Sequence, residues 1–290
     1  MKQALSRRML VSSIALAAAT LLAPVAQAQT SKSVAVTAIV DHPALDAVRK
    51  GVEDELKAQG WVAGKNLKYQ YQSAQGNSAT AGQIARKFIG DKADVIVAIA
   101  TPSAQAAVVA TSSVPVVFTA VTDPVAAKLV KDAKPSGTNV TGVSDRLPLA
   151  PQIDLMQKIV PGAKRIGMVY SPGEVNSTII VKELKEALAQ RGMSLHEAAA
   201  PRTVDIPSAA KSLIGKIDLM YTTTDNNVVS AYESMARLAA DAKLPLVASD
   251  TGSVARGAIA ALGMNYYDMG RQTGKIVVRI LKGEKPGAIA

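Results

Sequence analysis

The stretch 94–105, DVIVAIATPSAQ, sets the fold. A short apolar run begins after Asp94 and stops at Thr101-Pro102-Ser103, where an alanine-rich segment takes over. That outline is a buried parallel strand delivering a helix N-terminus. Thr101 suits the N-cap and Pro102 the first helical position, so the N–H groups of Ser103, Ala104 and Gln105 are expected to lack intrahelical partners. Such an end attracts anions, carboxylates among them.

The same outline returns at 218–228, DLMYTTTDNNV, with Asp225 standing where Thr101 stands. Lys32-Ser33-Val34 and Lys164-Arg165-Ile166 each open a strand, loop and helix that closes on a glycine, Gly60 and Gly192, 28 residues after the lysine. Val114-Pro115-Val116 is echoed by Leu244-Pro245-Leu246. Three landmarks in one order imply two similar α/β halves. If the halves face each other, an anion-seeking helix end confronts a carboxylate.

Strands are predicted over 34–40, 65–72, 94–100, 115–120 and 139–143 in the first half. The second half places them over 165–170, 194–198, 218–222, 245–247 and 258–262. Helices are predicted over 43–59 and 78–89, after Thr101, from Asp123-Pro124, and over 148–160, 174–190, 206–214, 226–240 and 268–281. Leu45, Val48, Val52 and Leu56 form the apolar stripe of the first helix. Strands alternating with helices mean parallel sheets covered on both faces, here two doubly wound lobes. The expected division is a signal over 1–28, lobe I over 29–144, lobe II over 145–264 and a return to lobe I over 265–290. Connections between lobes are short and polar, which suits a hinge.

Lys2, Arg7 and Arg8 precede an apolar run from Leu10 to Ala23, then Pro24 and Ala26-Gln27-Ala28. This pattern reads as a cleavable secretory signal, too short for a membrane span. The chain contains no cysteine, so no lipid anchor is expected at the cleavage point. Beyond residue 28 the chain keeps 30 Lys plus Arg against 23 Asp plus Glu, without a basic block carrying aromatics, so nucleic acid is an unsuitable partner. His42 and His196 are the only histidines, which makes a metal site or a Cys–His pair a poor account; no cofactor and no catalysis are expected. Ser208-x-x-Lys211 lacks the companion motifs of serine acyl-transferases.

Doubly wound sheets bind ligands beyond the carboxyl ends of their strands. The loops there contain His42, Thr101, Ser103, Thr122, Ser144, Asn176, Ser177, Asp225, Asn226 and Asn265, a set of small hydroxyls, amides and carboxylates fit for a small polar molecule. Phe118, Tyr170 and Tyr266 are candidates for touching an apolar side chain. Helix capping is the competing account for Thr101, Ser103 and Asp225.

Ile99-Ala100-Thr101-Pro102-Ser103-Ala104-Gln105, Phe118-Thr119-Ala120-Val121-Thr122-Asp123-Pro124, Asn139-Val140-Thr141-Gly142-Val143-Ser144-Asp145 and Thr224-Asp225-Asn226 carry a resemblance over essentially the whole chain after the signal. They resemble the type I periplasmic solute-binding proteins of ABC importers, and within them the family that binds aromatic amino acids such as tryptophan. The resemblance implies a monomeric periplasmic receptor that closes on an amino acid and presents it to an inner-membrane ABC permease. It implies that Thr101, Ser103 and the N–H groups of Ala104 and Gln105 hold the carboxylate, and that Asp225, helped by Asn226, holds the ammonium. A receptor for a sugar or nucleoside, a sensor-coupled binding module and a hydrolase are the rival readings.

Overall fold

The computed structural model describes residues 31–290, so the signal reading of residues 1–28 lies outside the described residues. Two five-stranded parallel sheets account for the strands. The first contains β1 (Lys32–Ala38), β2 (Leu67–Ser73), β3 (Val95–Ile99), β4 (Val116–Val121) and β5 (Val140–Ser144), in the order β2-β1-β3-β4-β5. The second contains β6 (Arg165–Tyr170), β7 (Ser194–Ala199), β8 (Leu219–Thr222), β9 (Leu246–Asp250) and β10 (Ala260–Met264), in the order β10-β9-β8-β6-β7. Both orders reverse direction beside their first strand, which creates the switch point where doubly wound sheets open a crevice.

The helices follow from the apolar stripes. In the first half they are α1 (Pro43–Ala58), α2 (Ser78–Gly90) and α3 (Thr101–Ala110). The second half has α4 (Leu149–Ile159), α5 (Val175–Ala189), α6 (Ile206–Leu213), α7 (Asn226–Ser230) and α8 (Tyr232–Asp241), and α9 (Tyr266–Leu281) follows β10. Every residue of β3 and β4 is buried, as a strand covered on both faces requires. Among the described residues no helix is long and apolar enough to cross a membrane.

Helix α9 lies against α1 with almost no space between the backbones. A Cβ added at Gly51 would sit 2.2 Å from the Tyr267 carbonyl oxygen, and one at Gly270 would sit 2.1 Å from that of Val48. Arg271 Nε donates to Glu55 Oε2 at 2.7 Å, closing the contact with a buried carboxylate. The chain passes from the first sheet to the second through 145–148 and leaves the second sheet at Asn265.

Three expectations are corrected. Asp123 opens no helix: its Oδ1 accepts from the N–H groups of Val125 and Ala126 in a turn. The helix expected over 226–240 is two, broken at Ala231. Helix α3 starts one residue early, with Ala100 at the cap position and Thr101 already helical. Ala100 has φ +74° and ψ 155°, a conformation that costs a non-glycine residue roughly 1 to 3 kcal/mol and collects at functional sites.

Candidate ligand-binding cleft

The early start of α3 changes which donors its end offers. The Ala104 N–H donates to the Ala100 carbonyl at 3.0 Å, so it is not available to a ligand, and the Gln105 side chain is turned away to the Ala127 carbonyl. Thr101 and Ser103 remain. Their side chains are 1% and 0% exposed, and neither hydroxyl has a hydrogen-bond partner. A buried unpaired hydroxyl costs about 1 to 3 kcal/mol, so each is an unmet hydrogen bond at the carboxyl end of β3, next to the strained Ala100.

At the equivalent place in the second sheet, Asp225 is the N-cap of α7 and is fully buried. Its Oδ1 accepts from Val228 N (3.0 Å) and Ser171 Oγ (2.9 Å), and its Oδ2 from Ser171 N and Ser177 Oγ (both 2.6 Å). Four donors fill the roughly four acceptor positions of a carboxylate. The ammonium role expected of Asp225 therefore meets a group already saturated by its own lobe. Ser177 is likewise engaged with that carboxylate rather than turned to the cleft.

Glu174, which the sequence reading passed over, sits beside this network. Its Oε2 accepts from Asn176 Nδ2 (2.8 Å), Asn226 N (3.2 Å) and Asn226 Nδ2 (2.7 Å). Burial, and then the neighbouring Asp225 charge, push its carboxyl up to about 7. Glu174 directly precedes α5, where an acidic residue reads as an ordinary complement to the helix dipole. The useful sign was its place three residues before Ser177, opposite Asp225.

The two sheets meet at these strand ends. Thr122 Oγ1 and Thr224 Oγ1 are 3.2 Å apart across the cleft, and Arg146 bridges Asp123 and Glu183 at 2.6 Å. Two cavities adjoin there, sharing Asp145 and Thr224. One, of about 290 Å³, lies between His42 and Leu45 on one side and Asn226 and Val229 on the other; the second, of about 280 Å³, is walled by Thr122, Ile180, Tyr221 and Ser249. Only about 20 Å³ of each is open to the centre of a water molecule, roughly one water apiece. The cleft is shut. Of the buried polar atoms without partners, Asp145 Oδ1, Thr223 Oγ1 and Ser249 Oγ belong to residues lining these cavities, whereas Thr101, Ser103 and Asn176 line neither.

His42 caps α1, its Nδ1 accepting from Leu45 N at 3.4 Å, and burial, then the Arg256 charge, lower its pKa to about 4. It therefore faces the cleft neutral. Three expected residues lie elsewhere. Phe118 packs over Gly142 and lines a separate cavity of about 490 Å³ beside β5, because its side chain leaves β4 on the face toward Ile289. Ser144 is exposed, with its hydroxyl donating to the Thr122 carbonyl and accepting from Arg146 N. Asn265 is exposed as the N-cap of α9, accepting from Tyr267 N and Asp268 N. Among the described residues no group of three or more His, Cys, Asp or Glu could hold a metal ion.

Two sheets closing strand ends over unpaired polar groups is the geometry of a receptor, and residues 33–290 match the family described as ABC transporter substrate binding protein. The chain belongs to that family. Its fold is the type I periplasmic binding fold. Proteins of this family are typically extracytoplasmic, take a small-molecule ligand and work with an ABC permease. A protein of Clostridioides difficile named tyrosine-binding protein is 40% identical over 258 residues, covering 89% of this chain and 75% of the relative. The ABC domain of a Streptococcus pneumonia protein solved with L-Trp is 34% identical, covers 89% of this chain and 88% of its own, and superposes with a TM-score of 0.86. A substrate binding protein with adhesive properties from Clostridium difficile, solved ligand-free and open, is 41% identical with the same coverage, 89% and 88%, yet reaches only 0.66. Shape ranks the two in the opposite order to sequence. The relative solved with L-Trp is thus the nearer of the two in shape, and the one solved ligand-free and open the farther.

Proposed function

We propose that this chain is the periplasmic receptor of an ABC importer for an amino acid with an aromatic or large apolar side chain, capturing it as a monomer between two closing lobes. The observation that carries the reading is the pair of buried, partnerless hydroxyls of Thr101 and Ser103 at the carboxyl end of β3, the edge of the sheet that faces the second sheet. They and the first-turn N–H of Ser103 supply what a ligand carboxylate needs, charge-assisted hydrogen bonds at a helix N-terminus. Leu45, Val229, Tyr266, Ile180 and Tyr221 give the adjoining cavities apolar walls, as an aromatic or aliphatic side chain needs. The tyrosine and L-Trp named for the relatives fit that description. Contacts from both sheets favour the closed form over the open one, so ligand drives closure and the closed form is what the inner-membrane permease receives.

A melting screen over the amino acids, with sugars and nucleosides as controls, tests the assignment. Tyrosine, tryptophan or phenylalanine at about a hundred times Kd should raise Tm by roughly 5 to 10 °C, since only the folded protein binds. A shift with sugars alone refutes it. Recovery of the ligand intact after prolonged incubation separates a receptor from a hydrolase.

A further inference from the structure

With Asp225 saturated, the positive end of a zwitterion needs a different acceptor, and the cleft contains one. Asp145 stands in the first crossing between the sheets, is 4% exposed, and lines both cavities. Its Oδ2 accepts from the Tyr266 hydroxyl at 3.0 Å, and Tyr266 begins α9 directly after the second crossing. Its Oδ1 accepts no hydrogen bond of normal geometry from the protein, although the Thr122 hydroxyl approaches the carboxyl. The nearby Thr122 hydroxyl is in contact with Thr224.

We propose that Asp145, its second oxygen held by Tyr266, receives the ammonium group of the ligand at the junction of the two crossings. The proposal rests on the amino-acid reading above and deepens it.

Charge bookkeeping supports the assignment. Asp145 and Asp250 both line the first cavity, and no lysine or arginine lines either cavity. Asp250 is occupied as a cap, accepting from Gly252 N at 3.1 Å and Ser253 Oγ at 2.8 Å. Arg256, in an adjoining cavity, is paired with Glu233. Burial holds the Asp145 carboxyl above its usual range, only partly offset by the Thr122 and Tyr266 hydroxyls, as expected of a carboxylate with no cation beside it. An ammonium group supplies that cation and pairs the oxygen that accepts no hydrogen bond of normal geometry. A neutral sugar or nucleoside can donate to that oxygen but supplies no cation.

The position also separates this acceptor from Asp225. A group in lobe II can grip a ligand only when that lobe swings in, whereas a group at the crossings is close to both lobes throughout.

The test crosses a protein change with a ligand change, by titration calorimetry. Wild type and Asp145→Asn are each titrated with L-tyrosine and L-tryptophan, and with the deaminated analogues hydroxyphenylpropanoate and indolepropanoate. Asp145→Asn should weaken the amino acids about tenfold or more while changing the analogues less than about twofold. Tyr266→Phe leaves Asp145 without its hydroxyl partner and should produce a smaller loss, still confined to the amino acids. This second variant keeps the test decisive if Asp145→Asn does not fold. Equal losses for amino acids and analogues, or no loss for either, overturn the proposal while leaving the amino-acid reading intact. A wild-type protein that binds neither amino acid refutes the reading itself, and the proposal with it.

Discussion

Thr101 and Asp225 occupy the same place in two copies of one α/β pattern, yet they do opposite things. Thr101 lies fully buried with its hydroxyl unpaired, and Ser103 repeats the arrangement two residues on. Asp225 is as deeply buried and accepts four hydrogen bonds from its own lobe. At this position lobe I leaves its hydroxyls unpaired, while lobe II saturates its carboxylate, although Thr223 and Ser249 on neighbouring strand ends of lobe II stay unpaired. Matching position in a repeat predicts matching backbone, and hydrogen-bond saturation decides whether a side chain is left for a ligand.

The sharpest way to break this contrast is Asp225→Ala, which strands four donors in the interior. Urea melts should show a loss of roughly 3 kcal/mol or more. A loss under about 1 kcal/mol would mean that the network is not what holds the strand ends of lobe II.

A second test uses pH, because the lobes titrate in opposite senses. Glu174 in lobe II holds its proton up to about 7 in the folded chain, against 4.5 ordinarily. Between those values the native state binds the proton that the unfolded chain has released, so stability falls as pH rises through that window. His42 in lobe I has its pKa lowered to about 4 from 6.5, so the native state binds fewer protons there and stability falls as pH drops from 6.5 toward 4. The two slopes offset one another between about 4.5 and 6.5. Glu174→Gln should remove one of them, so that stability of the variant relative to wild type rises by about 2 kcal/mol over that range. A profile unchanged by the substitution would show that Glu174 does not titrate there.

Thr101→Val probes the unfinished side. Replacing an unpaired buried hydroxyl with a methyl should leave ligand-free stability unchanged within about 0.5 kcal/mol or raise it, while weakening amino-acid binding about tenfold. Loss of stability with affinity unchanged would make Thr101 a structural residue after all. The smallest effect is expected from Thr122→Val, which deletes the hydroxyl contact to Thr224 and should favour the open form by about 0.5 to 1 kcal/mol, seen as an increased radius of gyration in small-angle X-ray scattering.

Local pattern made the two-lobed frame readable. The apolar runs of β3 and β8, the stripe of α1 and the paired lysine-to-glycine spacings all act within a few turns of the chain. The strand-end loops followed from topology. What escaped was long-range. Three of the four donors that saturate Asp225 come from Ser171 and Ser177, 54 and 48 residues away, and nothing near Asp225 announces them. Asp145 stands in Ser144-Asp145-Arg146, which reads as a crossing between the halves, but the surroundings of its carboxyl exist only once both crossings are in place. The one-residue shift at Ala100 was also hidden, because a threonine before proline is ordinarily the cap and here a strained alanine takes that role.

The glycine-lined seam between α1 and α9 bears on how the molecule moves. Carbonyls 2.1 and 2.2 Å from where a Cβ would stand leave those helices no room to slide as their side chains rearrange. Any swing between the sheets must then be absorbed at 145–148 and around Asn265, which makes those segments the pivot. Were a ligand to seat beside Asp145, as proposed, it would be gripped near the fulcrum, where a small displacement is multiplied along the lobe before it reaches the rim.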